Sequence, residues 1–456
     1  MYYDLSYMSV PLPEDVLKLK NYGDFDGAAT LIEHLLSNEL PEALRKRLEI
    51  EQDIIRIVGI NEYPFDFSEA SQMMEATFKD YQEQELTSLK ETGKVDWLYI
   101  DGKIHFQRRF LLNLIKTQAD YEARLIVKED NEVDRLRKQE LTQNVQLMKE
   151  NGSRKVKIHL KTSIKVKKQY ERPGETVRVY LPLPKECKQT SDIQILKTVP
   201  EATFIAPEKE AQRTIYFETI LKEDQVFSVE YSYINQVDYV DLDPKKATEV
   251  QPEFELHEQL PHIRFTPYLE QVLTEVLAGE TNPIKKARKI YDFITTKVNY
   301  SFMREYFTID NISEYAAVNL KGDCGVQAIL FITLCRMAKI PAKWQSGLYV
   351  SQYYTGCHDW AQFYVAPYGW VFADLSFGGG ARRNGDLDRW NYYFGNLDVF
   401  RMPANSEIQT DFNPPKQFLR ADPIDNQRGE FEYENQGLPY AYLDVQQDLI
   451  AMDELV

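Results

Sequence analysis

The hydrophobic pattern of this chain changes period twice, and those changes restrict its possible folds more than any single residue does. Over residues 1 to about 150 apolar positions recur at helical spacing, as in Ala28, Leu31, Ile32, Leu35 and Leu36, and again at Leu111, Leu112 and Ile115. One hairpin interrupts them: in "WLYIDGKIHF" the Asp101-Gly102 pair sits between two β-prone runs, as a two-residue type I′ turn requires. The charge-rich "VKEDNEVDRLRKQELTQNVQLMKENGSRK" reads as a solvated helix or linker. From about 155 to 240 the period becomes two. The runs "KVKIHL", "TVRVYLPL", "RTIYFETIL" and "QVFSVEYSYI", separated by turn signals, predict a β-sandwich. A Pro-rich stretch, "DPKKATEVQPEFELHEQLPHIRFTP", leads to amphipathic helices, where Asn282 is placed to cap and Ile284, Ala287, Ile290, Tyr291 and Ile294 form the buried stripe. The expected architecture is multidomain α+β: a mostly helical domain over 1–150, a β-sandwich over 151–245, and an α+β core with a C-terminal extension over 246–456.

Composition narrows the function classes. A chain of 456 residues, 43% hydrophobic, is long enough for two to four domains with real cores. Its formal charge of −17 argues against a nucleic-acid partner, because phosphate binding needs a basic surface. No basic leader with an apolar core is visible at the N-terminus and no window suits a membrane span, so a cytoplasmic location is expected. The four cysteines, Cys187, Cys324, Cys335 and Cys357, form no CxxC pairs, which leaves free thiols and no structural zinc. His159 reads as a surface or packed strand residue, and His257 and His262 fall in the linker without metal-ligand spacing. Neither a cofactor nor a metal is expected, and the sequence gives no indication of oligomeric state.

One cysteine is placed differently from the rest. In "NLKGDCGVQAILFITLCRMAKIPAKW", Asp323 is a good N-cap and the residues after Cys324 are apolar on most faces, so a central helix begins at the thiol and ends before Pro341. The helix N-terminus predicts a thiol of lowered pKa, opposed only in part by the charge of Asp323. Cys335, within the apolar run, reads as a core residue. Downstream, "GCHDWAQFYVAPYGWVFADLSFGG" predicts two strands around a Pro-Tyr-Gly turn, with His358 near the start of the first and Asp374 near the end of the second. An odd loop puts His358, Trp360 and Gln362 on one face with Asp374, and the contact of Asp374 with His358 is then diagonal; an even loop separates them. A carboxylate on one imidazole nitrogen fixes the tautomer and leaves the other to take a thiol proton.

The run from Gly322-Asp323-Cys324 through "LCRMAKIPAKWQSG" and on to "HDWAQFYVAPYGWVFAD" resembles the core of the bacterial transglutaminase-like superfamily, a papain-like cysteine enzyme fold. The resemblance covers roughly residues 265 to 400 and implies Cys324 as nucleophile, His358 as general base and acid, and Asp374 as its orienter. Two positions depart from the family pattern: Lys339 stands where glycine is usual at the helix end, and Lys343 replaces a common arginine. The β-rich region before the core resembles the sandwich that often precedes it in relatives. The superfamily includes cross-linking transglutaminases, cysteine peptidases, peptide N-glycanases and proteins that have lost the triad, so the fold alone does not select a reaction. The paired CxxC ligands usual in the N-glycanases are absent.

Two further readings concern the cleft. The glycines Gly378, Gly379 and Gly380, followed by Arg382, Arg383, Asp386 and Asp388, predict a mobile polar margin that admits water, which favours hydrolysis of a peptide or isopeptide amide over protein cross-linking. Trp344, Trp360 and Trp370 are the candidate walls of an acyl tunnel, and the aromatics from Trp390 to Phe394 either wall the cleft or pack the following segment. One oxyanion donor is expected from the backbone N–H of Cys324, and Asn319, Tyr315 and Tyr306 are candidates for the second. The alternative of another class is a non-catalytic scaffold or binding protein, in which the helical region does the work.

Overall fold

A computed structural model of the chain describes residues 5–127, 132–248 and 250–455. Helices dominate the N-terminal part, among them Glu14–Tyr22, Phe25–Leu36, Glu42–Ile57 and the 20-residue Glu132–Asn151. Ala28 and Ile32 of the periodic stripe pack with Val16, Leu48 and Ile55 into one small core. A small sheet holds β1 (Phe65–Asp66), β2 (Trp97–Ile100) and β3 (Lys103–Phe106) in the order β1-β3-β2. Asp101 and Gly102 at the β2–β3 turn have φ of 50° and 74°, the two positive values that a type I′ turn demands.

The alternating segments form β4 (Ser153–Val166), β5 (Thr176–Pro182), β6 (Thr190–Val199), β7 (Phe204–Ile205), β8 (Thr214–Ile220) and β9 (Phe227–Asp238). The linker after β9 does not swing free. Glu255 pairs with Arg336 at 2.9 Å, and Gln251 accepts the Ala366 N–H at 2.8 Å, so the segment is strapped to the next domain.

That domain opens with the helices Pro267–Leu277 and Pro283–Lys297, the second capped by Asn282 as its sequence predicts. Two short parallel strands follow, β10 (Asn299–Tyr300) and β11 (Lys321–Gly322), and they bring Tyr300 beside the start of the helix Cys324–Met337. Next come β12 (Ala342–Val350), β13 (Thr355–Val365), β14 (Gly369–Ala373), β15 (Phe394–Gly395) and β16 (Arg401–Asn405), an antiparallel sheet in the order β15-β14-β13-β12-β16. The Cys324 helix covers one face of this sheet, with the Phe331 and Phe363 rings 5.8 Å apart in edge contact. Lys339 ends the helix at φ 63°, in the left-handed conformation that explains the glycine usual at this place in the family.

The chain then returns to the sandwich. β17 (Glu430–Tyr433) pairs with β5 and β18 (Leu443–Leu455) with β4, giving two four-stranded sheets, β17-β5-β8-β7 and β18-β4-β9-β6. Phe227 bridges the sheets, touching Phe217 at 5.6 Å and Phe431 at 5.8 Å between centroids. The division at 245/246 read from the sequence leaves residues 430–455 with the core, whereas their strands complete the sandwich; such a pairing between distant segments has no local signature.

The glycine run differs from its sequence reading. Gly378, Gly379 and Gly380 lie within the helix Leu375–Arg383. A Cβ on Gly378 would fall 1.8 Å from the Tyr291 hydroxyl, and one on Gly379 would lie 3.4 Å from the Thr295 carbonyl oxygen. Gly378 and Gly379 permit close packing against the helix Pro283–Lys297, and the run lies in a helix where the sequence predicts a mobile loop. The aromatics after them pack this segment: the Tyr393 hydroxyl bonds Asp398 at 2.9 Å, and the Tyr392 hydroxyl donates to the Leu397 carbonyl at 2.7 Å.

Candidate active site

Asp323 caps the Cys324 helix as expected, its carboxylate accepting the Val326 N–H at 3.3 Å. Cys324 is partly exposed and lines a cleft of about 450 Å³, together with Arg109, Tyr300, Tyr306, Asp359 and Gln427. The glycine after the cysteine has a steric cause: a Cβ on Gly325 would lie 2.4 Å from the Tyr306 hydroxyl oxygen and 2.8 Å from Asp359 Oδ2. The thiol donates a hydrogen bond to that same Asp359 oxygen at 3.1 Å. Burial, then the charges of Asp359 and Asp323, push the Cys324 thiol well above its ordinary pKa. The lowered value predicted from helix position is therefore reversed, because two carboxylates and desolvation outweigh the partial charge of one helix terminus.

His358 and Asp374 come together as the parity rule requires. Val365 pairs with Gly369 across a three-residue loop, and Ala361 with Ala373, so the register carried one step further sets Asp374 opposite Trp360, on the His358 side. The diagonal contact closes: His358 Nε2 lies 2.8 Å from Asp374 Oδ2. Asp374 also accepts the Phe377 N–H at 2.9 Å, capping the helix that follows it. Arg401 completes this side, pairing with Asp374 at 2.9 Å and with Asp398 at 2.6 Å, and its guanidinium and both carboxylates are fully buried. Burial opposes ionisation of Asp374, but His358 and Arg401 outweigh it and hold the carboxyl below its usual value. Burial pushes the His358 imidazole below its ordinary pKa, although Asp374 pulls the other way. The Phe377 ring covers the imidazole at 4.4 Å between centroids.

Sequence reasoning named Cys324, His358 and Asp374, and the structure joins the last two by a hydrogen bond. The thiol is bonded to Asp359, the next residue along β13, and successive residues of a strand face opposite sides of the sheet. Asp359 was not singled out, although a signal existed: it opens the series Asp359, Ala361, Phe363, Val365, whose later members are apolar and meet the helix. Its other oxygen accepts from the Gln427 amide, which also donates to Asp425 at 3.1 Å. Asp425 in turn bonds the Ser346 hydroxyl, itself 3.0 Å from the Trp344 indole nitrogen.

Other expectations change accordingly. Trp344 and Trp360 are buried, and Trp370 packs against Phe254 and Tyr364, so the cleft owes its aromatic lining to Tyr300, Phe302, Tyr306 and Tyr354 instead. Of the three candidate oxyanion donors only Tyr306 lines the cleft, where its hydroxyl donates to Asp323; Asn319 and Tyr315 border a separate pocket. The helical N-terminal region contributes Arg108, Arg109 and Leu112 to the wall, which no sequence signal indicated. Among the described residues no group of three His, Cys, Asp or Glu could hold a metal, and no helix is long and apolar enough to cross a membrane.

Solved structures resemble parts of the chain. A protein of Cytophaga hutchinsonii, provisionally described as a cysteine protease, aligns with a TM-score of 0.38 and 15% identity over 66% of this chain and 90% of that one. The periplasmic domain of TgpA from Pseudomonas aeruginosa aligns with a TM-score of 0.28 and 11% identity over 52% of this chain and 92% of that domain. No curated protein matches the chain. Likeness at this level carries no argument about chemistry, but the sequence comparison falls on the segment that holds Cys324, His358 and Asp374: residues 270–375 match the model of the transglutaminase-like superfamily.

Proposed function

We infer that this protein is a thiol enzyme acting on a peptide or isopeptide amide, with Cys324 as nucleophile, His358 as general base and acid, and Asp374 as the group that orients His358. The observation that carries this reading is the Cys324 thiol in an open cleft at a helix start, with the buried 2.8 Å His358–Asp374 pair one residue along β13 from the aspartate that the thiol touches. Asp374 engages Nε2, which leaves Nδ1 as the nitrogen for the thiol proton. Proton transfer to His358, for which the imidazole has to be brought round to the face of β13 that carries the thiol, frees the sulfur to attack the amide carbonyl. The protonated imidazole then gives its proton to the leaving amine, and a thioacyl intermediate remains.

Water is the favoured acceptor from this intermediate, with amine transfer as the alternative. The support for hydrolysis is the cleft itself, open beside the thiol and lined by charged residues, since Trp344, Trp360 and Trp370 do not wall it as a dry tunnel. A non-catalytic binding role draws on one observation, the thiol held protonated against a carboxylate. Turnover separates the readings. Cys324→Ala is expected to abolish release of acid product from a glutamine-containing peptide library, His358→Ala to cost nearly as much, and Asp374→Ala to leave a residual rate. If a labelled primary amine is incorporated faster than acid is released, cross-linking replaces hydrolysis; if wild type and Cys324→Ala are equally inactive, the binding reading takes over.

A further inference from the structure

The geometry points to Asp359 as a fourth catalytic residue of this site, the resting-state proton partner of Cys324, which keeps the nucleophile as a thiol until Asp359 itself is protonated. This rests on the thiol-enzyme reading above and concerns how that site is switched on. The Cys324 sulfur lies 3.1 Å from Asp359 Oδ2, so whenever Asp359 is ionised the carboxylate is the acceptor and the sulfur carries the proton. Gln427 occupies the other carboxylate oxygen and spans to Asp425, which fixes the Asp359 side chain in place. Gly325 leaves the space that lets the carboxylate approach, since a Cβ there would sit 2.8 Å from the same oxygen.

The surroundings decide the direction of the switch. From the helix start Asp323 faces the pair, from the preceding segment Tyr300 and Tyr306, and from the 422–428 segment Asp422, Asp425 and Arg428. On β13 itself Cys357 and His358 flank Asp359, and Arg109 of the N-terminal region lies across the cleft. Burial, then Asp425 and Asp323, raise the Asp359 carboxyl well above its usual pKa. With several buried carboxylates around it, a thiolate beside an ionised Asp359 is strongly opposed. Once Asp359 binds a proton, its Oδ2–H donates to the sulfur and the opposing charge is gone. With the imidazole brought to the thiol's face, the Sγ proton passes to His358 Nδ1, sulfur bonds to the substrate carbonyl carbon, and the C–N bond breaks as the imidazolium proton leaves on the amine; water then cleaves the C–S bond, giving the acid and returning a proton to sulfur, so Asp359 keeps its proton throughout. Wild-type turnover should therefore be favoured on the acid side of the profile, and removal of the charge should move it toward neutral pH.

Alkylation of Cys324 by iodoacetamide, followed site by site by mass spectrometry across pH, tests this without a substrate. Wild-type Cys324 should react with a midpoint above the ~8.5 of a free cysteine. Asp359→Asn, which keeps an acceptor oxygen but no charge, should react about tenfold faster near neutral pH, corresponding to about one pKa unit or more. Asp359→Glu should restore slow labelling. A wild-type midpoint at or below that of free cysteine overturns the proposal, whether or not the variants fold. Equal rates in wild type and a folded Asp359→Asn overturn it too. Absence of turnover in the wild type alongside the expected labelling shift would overturn the enzyme reading and leave the proton partnership standing.

Discussion

The two faces of β13 treat charge in opposite ways. On the His358 side, Asp374, Asp398 and Arg401 are fully buried, and the arginine pairs with both carboxylates. On the Asp359 side, Asp323, Asp359 and Asp425 gather round a thiol in an open cleft, and their carboxyls are pushed up by burial before any other cause. The first face spends its charges on holding an imidazole still, as a general base requires. On the second, burial outweighs the pull of Arg109 on Asp323 and of Arg420 on Asp425, the condition under which protonation states respond to pH and ligands. The comparison teaches that preorganisation and responsiveness, which an active site needs together, are separated here by the two-residue alternation of a strand.

The sharpest way to break this comparison is to remove the cation from the compensated face. Arg401→Met strips Asp374 and Asp398 of a fully buried partner and is expected to cost about 3–5 kcal/mol, read as a shift of the urea midpoint. The pH dependence has a definite sign. Because the folded-state pKa of Asp374 is depressed, its contribution is present above the ordinary carboxylate value and is lost as pH falls through the depressed one. The variant should lose part of that acid-side slope, since His358 still lowers Asp374. A midpoint unmoved by the substitution would mean that the buried charges do not hold this face together.

Next in size comes the packing behind the same face. Gly378→Ala drives a methyl to within 1.8 Å of the Tyr291 hydroxyl, which itself donates to the Trp390 carbonyl at 2.8 Å. A cost of about 1–3 kcal/mol is expected in thermal or urea unfolding. Gly380→Ala, where a Cβ meets nothing within 4 Å, should be neutral or slightly stabilising in the helix. Equal effects at the two positions would restore the mobile-loop reading of the glycine run.

The glycine run shows why sequence reading succeeds in one place and fails in another. Periodicity, caps and the Asp101-Gly102 turn are local, and strand parity carried His358 and Asp374 correctly to one face because it depends only on loop length. The role of Gly378 depends on Tyr291, far away along the chain, and the role of Asp359 on a helix terminus 35 positions back. The direction of the thiol pKa differs from the sequence expectation for the same reason: the helix terminus is visible in sequence, whereas burial and the Asp359 carboxylate are not. The return of β17 and β18 to the sandwich and the N-terminal wall of the cleft are likewise contacts between distant segments.

That wall offers the smallest effect and the closest test of the open face. Asn113 holds the N-terminal region to the cleft by a reciprocal pair of hydrogen bonds, its amide donating to the Phe302 carbonyl at 2.9 Å and its oxygen accepting the Phe302 N–H at 2.7 Å. Arg108 pairs with Glu305 at 2.8 Å beside it, and Arg109 lies over the Phe302 ring at 5.0 Å. Because these contacts are only partly buried, Asn113→Ala is expected to lower global stability by about 1 kcal/mol. Its larger consequence should be local, since Phe302 lines the cleft and loses both backbone partners. Hydrogen exchange should quicken around residues 300–306, while β13 and β14 behind His358 keep their protection. If protection falls equally on both faces, the cleft wall and the buried charge cluster unfold as one unit, and the division drawn between them does not extend to their dynamics.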